Sequence, residues 1–173
     1  MTSNSIVRRA VPEDYEGIWK LLNLVHTENA IMSQSKPKLD WLLDRLLHPE
    51  KIAEGDNGTR GFIGVIGPVG ALEGMILLCL GSLWYSDDII LEEYVNFVHP
   101  DHRKSNHAKT LVSYAKSIAD KTGVPLIIGV VSNTRTAAKV RLYRRQLPEA
   151  GAFFLYNADT AKFKEQTVNG KAP

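Results

Sequence analysis

The sequence predicts an α+β domain: a mixed central β-sheet flanked by helices. Three observations carry that expectation. Strand-like apolar segments follow one another with short links between residues 61 and 98, which argues for antiparallel order in the middle of the sheet. A strand–helix–strand run then covers residues 89–131 and demands a parallel pair joined by a crossover. The whole order, β α α β β β α β α β, contains no internal repeat or linker, and 173 residues suit one domain.

Each element has its own local reason. Residues 6–10 (IVRRA) read as a short strand ending at Pro12. Pro12, Glu13 and Asp14 open a helix, because proline is tolerated in a first turn and acids there oppose the helix dipole. Ile18, Leu21, Leu22 and Val25 follow at the spacing of one buried helical face. A second helix is expected over 39–47, after the polar stretch 33–38, stopping near His48-Pro49 because a residue before proline disfavours helical dihedrals. Residues 54–60 are a loop by composition. Segments 61–67 and 71–84 are apolar and separated by Gly67-Pro68-Val69-Gly70, a hairpin signal. After the turn Ser86-Asp87-Asp88, residues 89–98 form the next strand.

Residues 106–121 place Ala108, Leu111, Val112, Ala115, Ile118 and Ala119 on one helical face, with Gly123 as the residue that closes the helix. The continuous apolar run 125–131 reads as a strand covered on both faces. A basic helix over 134–147, capped by Ser132 or Asn133, and a last strand over 152–156 complete the domain. Residues 157–173 read as a weakly structured tail.

Composition narrows the class without naming a chemistry. With 44% hydrophobic and 23% charged residues the chain is neither disordered nor low-complexity. A net charge of +2 implies no nucleic-acid partner by itself. The single Cys79 excludes an intramolecular disulfide framework and fits a reducing cytoplasm. The longest apolar run, 75–80, spans six residues, so no membrane helix is expected, and MTSNSIVRRA has no secretion-type apolar core. A cytoplasmic location is the expectation.

Chemistry concentrates where the 89–98 strand runs through a short polar loop into the 106–121 helix. Unpaired backbone N–H groups and the positive helix end meet there, with Arg103, Lys104 and His107 beside them, a ready site for a phosphate or pyrophosphate. An ordinary strand–helix turn with solvated cations reads the same way. Tyr143 shares a helical face with Val140 and Leu147, so it points to a cleft as a general acid or to the core edge as a packing residue. Glu92 and Glu93 are adjacent on a strand, so one faces each side of the sheet and one lines the side nearest the cleft. Arg135, Lys139, Arg141, Arg144 and Arg145 make the 134–147 helix basic, a solvated face or a phosphate contact. His99, His102 and His107 cluster in one loop but lack nearby Cys or acidic partners, so no metal site is expected.

Over residues 6–156 the combination resembles the GNAT superfamily of acyl-CoA-dependent N-acyltransferases. The likeness rests on the element order, on Arg8-Arg9-Ala10 followed by Asp14, and on Val98-His99-Pro100-Asp101-His102-Arg103. The stretch Arg103-Lys104-Ser105-Asn106-His107-Ala108 is similar to the family's pyrophosphate motif, with Asn106 where the family has its middle glycine. Asn133 and Tyr143 follow at a longer interval than is common, then Gly151-Ala152-Phe153-Phe154 where the family has Gly-Phe. The short C-terminal half and its LYRR helix are similar to phage-encoded or otherwise divergent members.

The resemblance implies acetyl-CoA as co-substrate and direct attack of a primary amine in a ternary complex. Backbone groups of Phe97 and Val98 bond the pantetheine arm; amides of Arg103, Lys104, Ser105, Asn106, His107 and Ala108 hold the pyrophosphate; Asn133 bonds near the thioester. It implies Tyr143 as the acid for the leaving thiolate, Glu92 as the base for the acceptor ammonium, and a strand N–H of Val98 or a neighbour polarising the carbonyl. Cys79, inside an apolar strand, is no nucleophile. The acceptor is a small-molecule or peptide amine, bound by the first two helices, with Trp19, His26 and Trp41 as cleft or core residues. An incomplete last sheet edge favours a homodimer. Two rivals share these features: a non-catalytic CoA-binding or protein-interaction module, favoured by Asn106, and a nucleic-acid-directed modifier or binder using the basic helix.

Overall fold

The strands assemble into a five-stranded sheet ordered β1-β2-β3-β4-β5 in the computed structural model, which describes residues 6–29, 33–53, 56, 58–130, 132 and 135–152. β1 (Arg8–Arg9), β2 (Arg60–Ile66), β3 (Gly74–Ser82) and β4 (Ile89–Val98) are successive antiparallel neighbours, and β5 (Leu126–Ile127) runs parallel to β4. Four helices complete the described residues: α1 (Tyr15–Asn29), α2 (Lys36–Leu47), α3 (His107–Thr122) and α4 (Thr136–Arg144). None is long and apolar enough to cross a membrane. The mixed α+β sheet is the predicted architecture.

Two cores form because β3 is apolar on both faces. Met75, Leu77 and Cys79 face Ile18, Leu21, Leu43 and Leu46 of α1 and α2. Ile76 and Leu78 face Leu111, Ala115 and Ile118 of α3. At the N-terminal end Arg8 binds Asp14 through two hydrogen bonds of 2.7 and 2.8 Å, and Asp14 also accepts from the Val11 amide at 2.9 Å. Burial pushes the Asp14 carboxyl up, but these partners outweigh it and hold the pKa below the ordinary range. The Arg–Asp spacing seen in the sequence is therefore a fold staple, joining β1 to the entrance of α1.

Several boundaries differ from expectation, each for a local reason. The segment 12–14 is a 3-10 turn, and α1 proper begins at Tyr15. α2 begins at Lys36 rather than 39, since Pro37 is accommodated in its first turn. The hairpin strands are trimmed to residues beyond the turn, where Gly67 takes a φ of 102° that favours glycine. Gly123 closes α3 in the left-handed conformation, as predicted. Within the described part of 125–131 the strand is Leu126–Ile127, half-buried where cover on both faces was expected, and it pairs with β4 alone among the described residues, which leaves it at the sheet edge. α4 spans Thr136–Arg144 instead of 134–147; its first turn lacks a side-chain cap and is entered through Arg135 at φ 56°. Asn133, most of the expected 152–156 strand and the 157–173 tail lie outside the described residues.

One irregularity matters for function. Between β3 and β4 the register slips: Leu77 pairs with Val95 but Leu78 pairs with Glu93, so Tyr94 is an extra residue, a β-bulge. The bulge resets which side chains face which layer. Beyond it Val95 and Phe97 contact the α1–α2 core while Val98 joins the α3 core.

Candidate active site

A bulge and a divergence open the sheet at one place. β4 pairs with β5 only at Leu91–Leu126 and Glu92–Ile127, so its edge over residues 93–98 has no strand partner on that side among the described residues. His99 N donates to Glu73 O at 2.8 Å, and antiparallel alternation then turns the backbone groups of Phe97 toward β3 and those of Asn96 and Val98 toward the opening. The backbone groups of Phe97, expected from sequence to face the opening, are thus turned to β3, and it is those of Asn96 that face it beside Val98.

Two adjoining clefts of about 230 and 270 Å³ occupy this gap. Asn29, Asn96, Phe97, Lys139 and Tyr143 line both. Because of the bulge, Glu93 and Asn96 share the face toward α4, though their numbers differ by an odd interval. The Tyr143 side chain lies against both. Glu93 Oε2 and Asn96 Nδ2 are buried without a hydrogen-bond partner among the described residues, polar atoms whose cost is relieved by a ligand or water.

These groups perturb one another. Burial above all, with Glu92 adding to it, pushes the Glu93 carboxyl up to about 7 against the pull of Lys139 and Tyr143. Burial and the Glu93 charge raise the Tyr143 phenol, so it holds its proton at neutral pH. Burial lowers the Lys139 ammonium although Glu93 and Glu28 oppose the shift. Glu92, exposed on the other side of β4 and opposite Cys79, lines the wider cleft. Cys79 is 1% exposed and its thiol is raised to about 12, first by burial and then by Glu92.

The loop between β4 and α3 is folded by its own bonds. The amides of Arg103, Ser105 and His107 donate to Pro100 O, His102 O and Ser105 Oγ. Those of Lys104, Asn106 and Ala108 have no partner among the described residues, and they stand at the N-terminus of α3. Asn106 sits at φ −86°, ψ 8°, so the loop turns there without the left-handed conformation that glycine would supply. The Arg103 guanidinium is already engaged: it binds both Glu28 oxygens at 2.7 Å, donates to Val98 O at 3.1 Å and covers the Phe97 ring.

No protein-family model and no curated protein matches the sequence, but solved structures match its shape. A ribosomal-protein-alanine N-acetyltransferase from Brucella melitensis biovar Abortus 2308 superposes with TM-score 0.63 at 15% identity, covering 90% of this chain and 99% of its own. AAC(6')-Iy, solved with the bisubstrate analogue CoA-S-monomethyl-acetylneamine, gives 0.64 at 12% identity over 90% and 98%. An aminoglycoside acetyltransferase from an uncultured soil metagenomic sample gives 0.61 at 14% over 88% and 95%. The chain has the GNAT acetyltransferase fold.

On that GNAT fold the residues singled out from sequence separate into groups. Val98, Arg103, Ser105, Ala108 and Tyr143 line the cleft beside α3, and Glu92, Phe97 and Tyr143 line the cleft beside β5. Lys104 and Asn106 are exposed on the loop above. Trp19 donates to Asp40 at 3.1 Å, Trp41 is 51% exposed, and neither they nor His26 line the clefts. Val25, Glu28 and Asn29 of α1 take that position. Asn96, not singled out from sequence, lines both clefts with Lys139, which the sequence offers only as part of the basic helix; of the two adjacent acids that the sequence offers, Glu93 is the one on the α4 face.

The histidine loop, expected to lack an acidic partner, has one in space. His107 turns away from the cleft, is 6% exposed, and its Nε2 lies 2.6 Å from Glu73 Oε2. Glu73, at the end of the β2–β3 turn, is the acidic partner that the loop lacks in sequence.

Proposed function

We propose that the protein is an N-acyltransferase that moves an acetyl group from acetyl-CoA to a primary amine by direct attack. The observation that carries this reading is the Glu93–Tyr143–Asn96 cluster at the floor of an opening in the sheet. The residues present suit the co-substrate. Asn96 and Val98 offer strand backbone to an amide-bearing arm, and the amides of Lys104, Asn106 and Ala108 offer three donors at a helix N-terminus to a pyrophosphate. Bound there, acetyl-CoA supplies an activated thioester. Arg103 contributes indirectly, by fastening the loop to α1 through Glu28.

Glu93 is the base in this reading, in place of Glu92. An ammonium is no nucleophile until it loses a proton, and a carboxyl near 7 accepts that proton at neutral pH. Attack forms the C–N bond and breaks the C–S bond, leaving a thiolate. Tyr143 alone is a poor donor to it, since its phenol is raised above the ordinary value. The pair resolves this: Tyr143 gives its hydroxyl proton to sulfur and is reprotonated by Glu93, so the first amine proton ends on the thiol; the second, shed by the nitrogen as the amide forms, passes to the Glu93 carboxylate and from there to solvent. Glu92, at the rim of the wider cleft, gives the approaching ammonium a negative entrance. Similar folds in acetyltransferases for aminoglycosides and for a ribosomal-protein alanine make both small-molecule and peptide amines candidate acceptors.

Calorimetric titration with acetyl-CoA, followed by turnover against a panel of such amines, tests the proposal. Micromolar binding and thiol release are expected. Tyr143→Phe should lower kcat about 10²-fold or more with little change in acetyl-CoA affinity. Binding without turnover on any amine would leave a CoA-binding module. Failure to bind at millimolar acetyl-CoA would remove the enzyme reading altogether.

A further inference from the structure

We propose that Glu73, His102 and His107 form a site for a divalent transition metal of the zinc class, separate from the acyl-transfer cleft. The three side chains come from different segments: the β2–β3 turn, the turn after β4 and the first residue of α3. One donor atom from each lies within 4.8 Å of the others. His107 Nε2 is 2.6 Å and His102 Nδ1 3.5 Å from the same oxygen, Glu73 Oε2, and the two imidazoles stack with centroids 5.9 Å apart.

That spacing fits a tetrahedral cation. Metal–ligand bonds of 2.0–2.2 Å separate neighbouring donors by about 3.3–3.5 Å. The His102–Glu73 pair already has this separation, while the His107–Glu73 contact must open by under ~1 Å, the cation replacing the proton now shared there. Two imidazoles and one carboxylate select zinc, cobalt or nickel over magnesium or calcium, which take oxygen ligands. The fourth position falls to water, because His102 is 41% exposed.

The donors are held in place before any cation arrives. The Glu73 backbone is fixed at both ends, its N–H donating to Ile66 O and its carbonyl accepting from His99 N, each at 2.8 Å. His107 is held by burial and by the hydrogen bond its backbone N–H donates to Ser105 Oγ. Its other ring nitrogen, Nδ1, has no partner among the described residues. Outer acceptors of that kind contribute about 10–100-fold to affinity, so a micromolar site is expected rather than a tighter one. A cation here ties the hairpin turn to the loop whose free amides crown α3, bracing that loop from the side opposite the cleft.

Titration of chelator-treated full-length protein with Co²⁺ tests the site through the visible absorption of tetrahedral cobalt, with Zn²⁺ as competitor. A saturable 1:1 spectrum displaced by Zn²⁺ is expected. His102→Ala and Glu73→Gln, both at partly exposed positions, should weaken it at least about tenfold. His48→Ala, a surface histidine beside Asp44 and Glu50, should leave it unchanged. No saturable signal through millimolar metal, survival of the signal in both ligand variants, or its loss in His48→Ala overturns the assignment. Circular dichroism confirms that each variant is folded, and the readout is independent of acetyl-CoA.

Discussion

Glu93 is a half-buried residue with an enclosed carboxyl oxygen whose ionisation the fold opposes, and the sign of that opposition gives two linked predictions. As a base it must be unprotonated, so kcat/KM should rise with pH through about 7, the value to which burial raises it. Glu93→Gln should flatten that limb and lower kcat/KM about 10²- to 10⁴-fold. Stability moves the other way. A folded-state pKa above the unfolded value means that the native protein holds its proton more tightly. The stabilisation is therefore complete below the unfolded pKa, about 4.3, and is lost as pH rises through about 7. The loss is on the order of 3 kcal/mol. Denaturant titrations across this range should show wild type losing stability relative to Glu93→Gln. Parallel profiles in the two proteins would place the titrating base elsewhere.

At the scale of elements, the site depends on how β4 leaves β5 and on what fastens α1 to the loop before α3. The Glu28–Arg103 pair does the fastening, with side chains 24% and 20% exposed across 75 residues of sequence. Glu28→Gln keeps the shape and removes the charge, and bonds to charged groups contribute about 1.5–3 kcal/mol. Thermal unfolding should fall by roughly 4–8 °C, and acetyl-CoA affinity should weaken several-fold while kcat per bound complex is retained. An unchanged melting temperature would count against the clamp. This pair also marks the limit of reading a sequence. Local periodicity sufficed for β4, for α3 with its Gly123 end and for the hairpin at Gly67, since each is decided by near neighbours. It did not suffice for Glu93, because one extra residue at Tyr94 turns odd and even positions onto the same face. Nor could it find Glu73 beside His107, 34 residues apart, or the bonds that engage Arg103 with Glu28 and Val98 and leave it out of the proposed phosphate site. Those depend on which turns meet in space.

Across the molecule, stability is concentrated at the centre of the sheet and the proposed site lies toward its β5 edge. β3 is buried over residues 74–79 and shared by both cores, whereas β5 is two residues long and α4 contains no fully buried residue. Yet α4 carries Tyr143 and Lys139, so half of the proposed site rides on the less secured edge. A ligand spanning β4 and α4 binds the closed native arrangement and should stabilise it by RT ln(1 + [L]/Kd), about 2.7 kcal/mol at a hundredfold excess over Kd. Amide hydrogen exchange gives this a spatial form. Without ligand, amides of β2 and β3 should exchange at rates set by global unfolding, and those of β5 and α4 much faster through local opening. Acetyl-CoA should slow exchange at Asn96 and Val98, at Lys104, Asn106 and Ala108, and along α4, leaving β1 and β2 close to their unliganded rates. The pattern follows from the geometry of the opening alone, before any acceptor is known. If α4 were as protected as β3 in the free protein, or if ligand protection spared the β4 edge, the opening between β4 and β5 would not be where acetyl-CoA binds.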